Sequence, residues 1–191
     1  MRIKEAIKQS IQVKETILAD DAFLRRIGEV ADLCVKTFRD GGQLLFCGNG
    51  GSAADAQHLA AEFSGRYYFD RPPLNAEALH VNTSYLTAVA NDYSYDEVFA
   101  RLVRAKGKKG DLLIGLTTSG NSENVVRAME TARNMEMTTV AFTGANAGRA
   151  GQTADFIFNV PSKDTPRIQE SHILIGHIIC ELVESKLFPD Q

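Results

Sequence analysis

Short apolar segments alternate with stretches of helical periodicity along most of this chain, and this alternation limits the folds that it can adopt. Five segments have the length and apolar character of buried strands, namely 44–47, 78–81, 112–116, 139–142 and 156–160. Helical patterns lie between and after them, near 52–64, 83–90, 95–106, 122–135 and 166–187. Strands that alternate with helices form parallel βαβ units. The sequence therefore predicts an α/β fold with a doubly wound, five-stranded parallel sheet.

A helical extension precedes the predicted sheet. Apolar residues recur at helical spacing over residues 3–39, which indicates two amphipathic helices with a break near Asp20. Gly41 and Gly42 mark the end of the second helix. We therefore expect a single structural unit, in which N-terminal helices over 1–40 precede the main α/β domain over 41–191.

Charge and composition exclude several classes of partner. The 191 residues are 44% hydrophobic and 24% charged, close to the globular average, and the formal net charge is −3. A slightly acidic chain without a dense basic patch is not expected to bind nucleic acid or a membrane surface. In addition, no run approaches the roughly 18 consecutive apolar residues that a transmembrane helix needs.

The cysteines and the N-terminus indicate a cellular compartment. Cys34, Cys47 and Cys180 are odd in number and far apart, as expected of buried thiols in a reducing environment. The first residues alternate charged with apolar side chains and do not form the apolar core of a secretory signal. We therefore expect a cytoplasmic protein.

A hydroxyl-rich turn follows the third predicted strand. Its sequence is TTSGNS over residues 117–122, and a helix is predicted to begin near Ser122. Hydroxyl groups beside the free N–H groups of a helix N-terminus suit a phosphate, and ligands of open α/β sheets bind at this edge. Helix capping alone is the alternative. We favour the phosphate, and because the turn matches neither common nucleotide-binding glycine motif, we expect no nucleotide cofactor.

A glycine-rich turn follows the first predicted strand. Its sequence is GNGGS over residues 48–52, and glycines allow a ligand to approach the backbone closely. In the next helix His58 and Glu62 are four residues apart and share a face, so both can reach one substrate atom or one metal ion. Such a pair in isolation is more often a surface hydrogen bond. Its position just after a glycine-rich turn makes it a candidate site.

The last predicted helix supplies a comparable set of polar residues within an apolar run, namely Arg167, Gln169, His172 and His177. Gln169 and His177 are eight residues apart and share a broad face of this helix. A histidine between apolar neighbours is more often a core residue than a catalyst, unless a carboxylate orients the ring and tunes its pKa.

Four separated segments together resemble one family. They are CGNGGSAADAQHLAAE over 47–62, NDY over 91–93, TTSGNS over 117–122 and RIQESHILIGH over 167–177. These segments are similar to those of the sugar isomerase (SIS) domain proteins, and within them to the isomerases of heptose phosphates. The resemblance implies the SIS fold and the interconversion of sedoheptulose 7-phosphate and D-glycero-D-manno-heptose 7-phosphate through an enediol, as the first step of activated heptose biosynthesis.

The resemblance also implies a role for particular residues. Glu62 takes the place of the catalytic base and His177 that of the catalytic acid. The phosphate contacts carry over to Thr117, Thr118, Ser119 and Ser122. The other substrate contacts carry over to Asn49, Gly50, Gly51, Ser52, Glu62, Asn91, Asp92 and Gln169. Some members bind zinc through the positions of His58, Glu62, Gln169 and His177.

Family members assemble as homotetramers with sites shared between subunits, which implies that the N-terminal helices serve oligomerisation. An alternative within the family is a non-catalytic relative that binds the bacterial replication initiator protein or senses a sugar phosphate. The presence of both Glu62 and His177 favours the enzyme, because an adaptor has no physical need of an acid and base pair.

Overall fold

The computed structural model describes residues 2–189, in which five strands form one sheet in the order β2-β1-β3-β4-β5. Every pair of neighbouring strands is parallel. The predicted α/β fold with a five-stranded parallel sheet is confirmed. The strands are β1 Leu44–Gly48, β2 Ala76–Ala78, β3 Leu112–Leu116, β4 Thr138–Thr143 and β5 Phe156–Asn159.

Helices cover both faces of this sheet. They are α1 Arg2–Leu18, α2 Asp21–Arg39, α3 Gly51–Ser64, α4 Thr83–Asp92, α5 Val98–Lys106, α6 Glu123–Asn134, α7 Gly148–Thr153 and α8 Thr165–Leu187. The apolar residues of α1, α2, α3 and α8 form one core cluster, and those of α4 to α7 form a second. The sheet is therefore doubly wound. Within residues 2–189, no helix has the combination of length and apolar character needed to cross a membrane.

The two N-terminal helices are present, with the predicted break between them. Asp20 ends the break as the N-cap of α2, where its Oδ1 accepts hydrogen bonds of 3.0 Å from the N–H groups of Ala22 and Phe23. Helix α2 then buries a full apolar stripe against the sheet and α8. Helix α1, in contrast, buries only Ile17 and leaves Ile3 73% exposed.

Two elements differ from the sequence prediction. The second strand is expected at 78–81 but lies at Ala76–Ala78. Its last ladder contact is the N–H of Leu79 with the carbonyl of Phe46, after which the chain turns to the Asn82 cap of α4. The apolar residues of 79–81 are thus a connection rather than a strand. Helix α7 was not predicted, because its six residues, GRAGQT, carry no apolar periodicity.

The topology places two turns side by side. The chain lays β2 on one side of β1 and then builds β3, β4 and β5 on the other side. In open parallel sheets, ligands bind outside the carboxyl ends of the strands where this order reverses. The turns that follow β1 and β3, at 48–52 and 117–122, lie at this point.

A buried histidine in α8 makes the fold sensitive to acid. The His172 side chain is fully buried, with Nε2 3.1 Å from the carbonyl oxygen of Thr143. Its Nδ1 has no hydrogen-bond partner within residues 2–189. Burial lowers the pKa of His172 to about 4, although the bond to Thr143 opposes this shift. An unfolded histidine titrates near 6.5, so between pH 6.5 and 4 the unfolded chain binds more protons than the folded chain. The free energy of unfolding therefore decreases as the pH is lowered through this window.

We predict that the free energy of unfolding falls between pH 7 and 4.5 by roughly 2–3 kcal/mol more in the wild-type chain than in a His172→Gln variant. Urea unfolding of both chains at both pH values, at one protein concentration, measures the difference. Carboxylates titrate in both chains and cancel in this comparison. An equal loss in the two chains would show that His172 does not titrate in this way.

Candidate active site

Helices α3 and α8 bring three candidate residues together. His58 Nε2 in α3 lies 3.0 Å from Glu62 Oε1 on the next turn and 3.3 Å from Nε2 of His177 in α8. One ligand atom from each of the three side chains lies within 4.8 Å of the others. The two helices approach closely because Gly176 has no side chain: a Cβ there would lie 2.5 Å from the Leu59 methyl groups.

The cluster lies partly open to solvent and contains an imidazole that tends to be neutral. The Glu62 side chain is 24% exposed and that of His58 is 49% exposed. Burial lowers the pKa of His177, and His58 lowers it further, while Glu62 opposes both effects. A neutral imidazole can give up a proton at one nitrogen or donate a lone pair to a metal. The Tyr67 ring lies beside it, with its centroid 5.7 Å from that of His177.

The three residues fit a divalent metal such as zinc. Two imidazoles and one carboxylate are ordinary ligands of an open zinc site, and Zn–N bonds of about 2.0–2.1 Å in a tetrahedron hold neighbouring ligand atoms roughly 3.3 Å apart. The two Nε2 atoms of His58 and His177 have this separation, at 3.3 Å. Asp55 lies one turn before His58, and its Oδ2 is buried without a hydrogen-bond partner in the described part of the chain. Burial raises the pKa of Asp55, and His58 opposes this.

Gln169, the fourth predicted ligand, lies near the start of α8, beside the first residue of α3. Its amide packs against Gly51, where a Cβ would lie 2.5 Å from Gln169 Nε2. The glycine-rich turn therefore leaves room for this amide. Membership of Gln169 in a metal site stays a prediction.

A pair of asparagines connects the two turns. Asn49 Nδ2 donates to Asn124 Oδ1 at 2.8 Å, and Asn124 Nδ2 donates to Asn49 Oδ1 at 2.9 Å. The hydroxyl of Tyr95 also donates to Asn49 Oδ1, at 3.2 Å. Gly50 is left-handed in φ, at +56°, and Ser52 is buried in the first turn of α3. Asn124 and Tyr95 were not predicted from the sequence, because neither belongs to a motif and both lie far from Asn49 along the chain.

Three hydroxyl groups converge in the turn after β3. Thr117 Oγ1 lies 3.0 Å from Ser122 Oγ and 3.5 Å from Ser119 Oγ. Ser122 is the N-cap residue of α6, but its side chain makes no capping hydrogen bond. Helix capping therefore does not account for this hydroxyl. Thr118, also predicted to bind phosphate, is half-buried, while Ser119 is exposed.

Asn91 and Asp92 lie apart from these groups in the hydrogen-bond pattern. Both are exposed at the end of α4, and Asn91 Nδ2 donates to Asp92 Oδ1 at 2.9 Å. Within residues 2–189, no hydrogen bond joins either residue to another candidate. Their predicted contact with substrate stays a prediction.

The chain is similar to known proteins along nearly its whole length. Residues 7–144 match the family model described as the SIS domain. The chain is 52% identical over 186 residues to a phosphoheptose isomerase of Aneurinibacillus thermoaerophilus, an alignment that covers 97% of this chain and 94% of that protein. It is also 52% identical over 185 residues to a phosphoheptose isomerase of Mycobacterium tuberculosis, with 97% and 94% covered.

Solved structures agree with this similarity. The phosphoheptose isomerase of Neisseria gonorrhoeae superposes with a TM-score of 0.90 at 41% identity, and that of Francisella tularensis with a TM-score of 0.92 at 36% identity. Each comparison covers 96% of this chain and 97% of the other. The NanR protein of Vibrio vulnificus, solved in complex with ManNAc-6P, has a TM-score of 0.72 at 12% identity over 100% of this chain and 64% of its own, and shares the fold alone.

Gly120 allows a test of the backbone geometry of the hydroxyl turn. Its φ is +71°, and a Cβ there would lie 2.2 Å from the carbonyl oxygen of Ala147. We predict that Gly120→Ala lowers the free energy of unfolding by at least about 2 kcal/mol, because the obstacle is backbone. Gly28→Ala in α2 is the control: a Cβ there meets nothing within 4 Å, and stability should stay equal or rise by up to about 1 kcal/mol. Urea unfolding that gives both variants the same stability would contradict this geometry.

Proposed function

The chain belongs to the family of SIS domain proteins, and on that premise we propose that it is an aldose–ketose isomerase that interconverts sedoheptulose 7-phosphate and D-glycero-D-manno-heptose 7-phosphate. The predicted resemblance to this family is confirmed. The proposal depends above all on one observation: the carboxylate of Glu62 and the imidazole of His177, from two different helices, converge on His58. The reaction is the first step in the formation of an activated heptose.

In this proposal the two turns bind different parts of the substrate. We assign the phosphate to the hydroxyl turn, where the groups of Thr117, Ser119 and Ser122 converge beside the N-terminus of α6. Donors and the positive end of the helix dipole favour an anion there. Thr118 completes the set. The sugar chain then extends toward the glycine-rich turn, where Gly50 and Gly51 present backbone without side chains and Gly51 lies against Gln169.

Glu62 and His177 carry the proposed proton transfers. Glu62 takes the proton from C1 of the ketose, the electron pair forms the C1–C2 double bond, and His177 donates a proton to the C2 carbonyl oxygen. Glu62 then returns a proton to C2 of the enediol, and His177 takes the proton of the C1 hydroxyl as the aldehyde forms, so both residues regain their starting protonation states. A carboxylate and a neutral imidazole within a few ångströms suit this exchange of acid and base roles.

We also propose that the site binds zinc through His58, Glu62, Gln169 and His177. Bound zinc would polarise the substrate oxygens as a Lewis acid. Glu62 has two oxygens, of which Oε1 faces His58, so the second can act as the base. The predicted zinc site is compatible with the cluster of His58, Glu62 and His177.

The proposal extends to assembly and location. We propose a homotetramer with shared sites in the cytoplasm. Assembly is supported by α1, which leaves an apolar stripe uncovered in the single chain. Shared sites are supported by Asn91 and Asp92, which make no hydrogen bond to the other candidates in residues 2–189. The proposed location is supported by the thiols of Cys34, Cys47 and Cys180, which are buried and form no disulfide. The exposed apolar residues of α1 are Ile3, Ile7, Ile11 and Leu18.

A non-catalytic relative is the alternative. An adaptor or sugar-phosphate sensor requires a phosphate site but no paired acid and base, so the cluster of Glu62 and His177 favours the enzyme. The decisive experiment supplies purified protein with sedoheptulose 7-phosphate and follows the product by NMR. Sedoheptulose without phosphate is the control substrate and should be converted poorly. Binding of the phosphorylated sugar with no conversion would support the sensor instead.

We predict that Glu62→Gln lowers kcat by roughly 10²- to 10⁴-fold, because the amide cannot take a proton from carbon. Affinity for the sugar phosphate, measured by calorimetry, should change far less. Glu136→Gln is the control, since this exposed carboxylate pairs with Lys109 away from the cluster. Full turnover by Glu62→Gln would refute the assignment of the base.

We predict that the purified chain binds zinc and that His58→Ala weakens this binding by at least about tenfold. Calorimetric titration of the chelator-treated protein with zinc measures the affinity directly, and activity with and without added zinc measures its use. His80→Ala is the control, because His80 lies outside the cluster. Equal affinities in the two variants would argue against the site.

A further inference from the structure

We propose that the buried ion pair between Arg71 and Glu184 positions Glu62 relative to His177 for the proton transfer. This inference rests on the proposed function. It concerns two residues that do not touch the site of reaction and that belong to none of the motifs above.

The pair lies inside the protein. Arg71 Nε donates to Glu184 Oε1 at 2.8 Å, and each side chain is only 1% exposed. Removing two charges from water is costly, and well-packed apolar residues often give equal or greater stability at such positions. Stability alone is therefore a weak explanation for this pair, and its other hydrogen bonds suggest a better one.

Arg71 holds the end of the helix that carries the base. Its Nη2 donates to the carbonyl oxygen of Glu62 at 2.8 Å, and its Nη1 donates to those of Phe63 at 2.8 Å and Gly65 at 3.2 Å. The last carbonyls of a helix have no partner within the helix, and a cation is favoured at this end. Arg71 thus caps α3 through the backbone of Glu62 itself.

Glu184 belongs to α8, the helix that carries His177, and binds the backbone of the loop at 67–69. It lies seven residues after His177 in α8, which is two turns along the same face. Its carboxylate accepts the N–H groups of Tyr67, Tyr68 and Phe69 at 3.0, 2.6 and 3.1 Å. Burial opposes its ionisation, but these donors and Arg71 hold the pKa of Glu184 below its ordinary value.

The two sets of bonds form one connection. From the backbone of Glu62, it runs through the guanidinium of Arg71 and the carboxylate of Glu184 into α8, and so to His177. A branch fixes Tyr67, whose ring lies 5.7 Å from that of His177. A shift of about 1 Å between reacting groups can lower a rate about 100-fold, so a rigid connection between the base and the acid affects turnover directly.

Two conservative variants test this role. Arg71→Lys keeps the charge but has a single nitrogen, which cannot serve Glu184 and the carbonyls of α3 together. Glu184→Gln keeps the shape and one acceptor oxygen. We expect each variant to lower kcat for sedoheptulose 7-phosphate by about 10- to 100-fold and to change KM by less than about threefold, because the phosphate turn is untouched.

A matched control separates positioning from stability. Asp111 is also a buried carboxylate that accepts backbone N–H groups, from Gln43 at 3.1 Å and Lys108 at 2.9 Å, but it precedes β3, at the end of that strand away from the hydroxyl turn. We expect Asp111→Asn to lower the Tm as the two variants do, while kcat stays within about twofold of wild type. All rates are measured well below every Tm.

The outcomes are distinct. If the Arg71 and Glu184 variants lose no more kcat than Asp111→Asn, the pair is merely structural and the inference is overturned. If Arg71→Lys does not fold, Glu184→Gln decides the question by the same criterion. If the wild-type chain has no isomerase activity, the proposed function fails, which is a different result from unchanged kcat in the variants.

Discussion

The close contact between α3 and α8 is the constraint on which the candidate site depends. Gly176 allows the Leu59 side chain to lie where any larger residue would place its Cβ, so the two helices can pack with their backbones close together. This spacing brings His177 to within 3.3 Å of His58. One turn further along α3, Glu62 completes the cluster. A wider separation of the helices would leave a pair of surface histidines with no common ligand.

The sheet supplies the second half of the site. Because the strand order reverses beside β1, the turns after β1 and β3 lie next to each other. The reciprocal bonds of Asn49 and Asn124 hold the two turns together. The hydroxyl turn can thus hold the phosphate of a sugar while its other end extends toward α3 and α8. Binding is in this way assigned to the two turns, and proton transfer to helices α3 and α8.

Much of this arrangement could be predicted from the sequence, and the exceptions share a cause. The alternating apolar segments predicted the sheet, and the residue types of both turns indicate ligand binding, which stays a prediction. The second strand was placed two residues late, because an apolar connection has the same composition as a buried strand. Arg71 and Glu184 were missed altogether: each is an ordinary charged residue in its own segment, and only the partner explains why it is buried.

The sequence by itself determined the order of strands and helices, the glycine and hydroxyl turns, and the shared face of His58 and Glu62, because all of these depend on residues that are close together in the chain. The tertiary structure alone decided that His177 meets His58 across 119 positions and that Arg71 meets Glu184 across 113. It also decided that the Ser122 hydroxyl faces Thr117 instead of capping α6. Such contacts depend on how helices pack on the sheet, and local patterns of residue type do not carry that information.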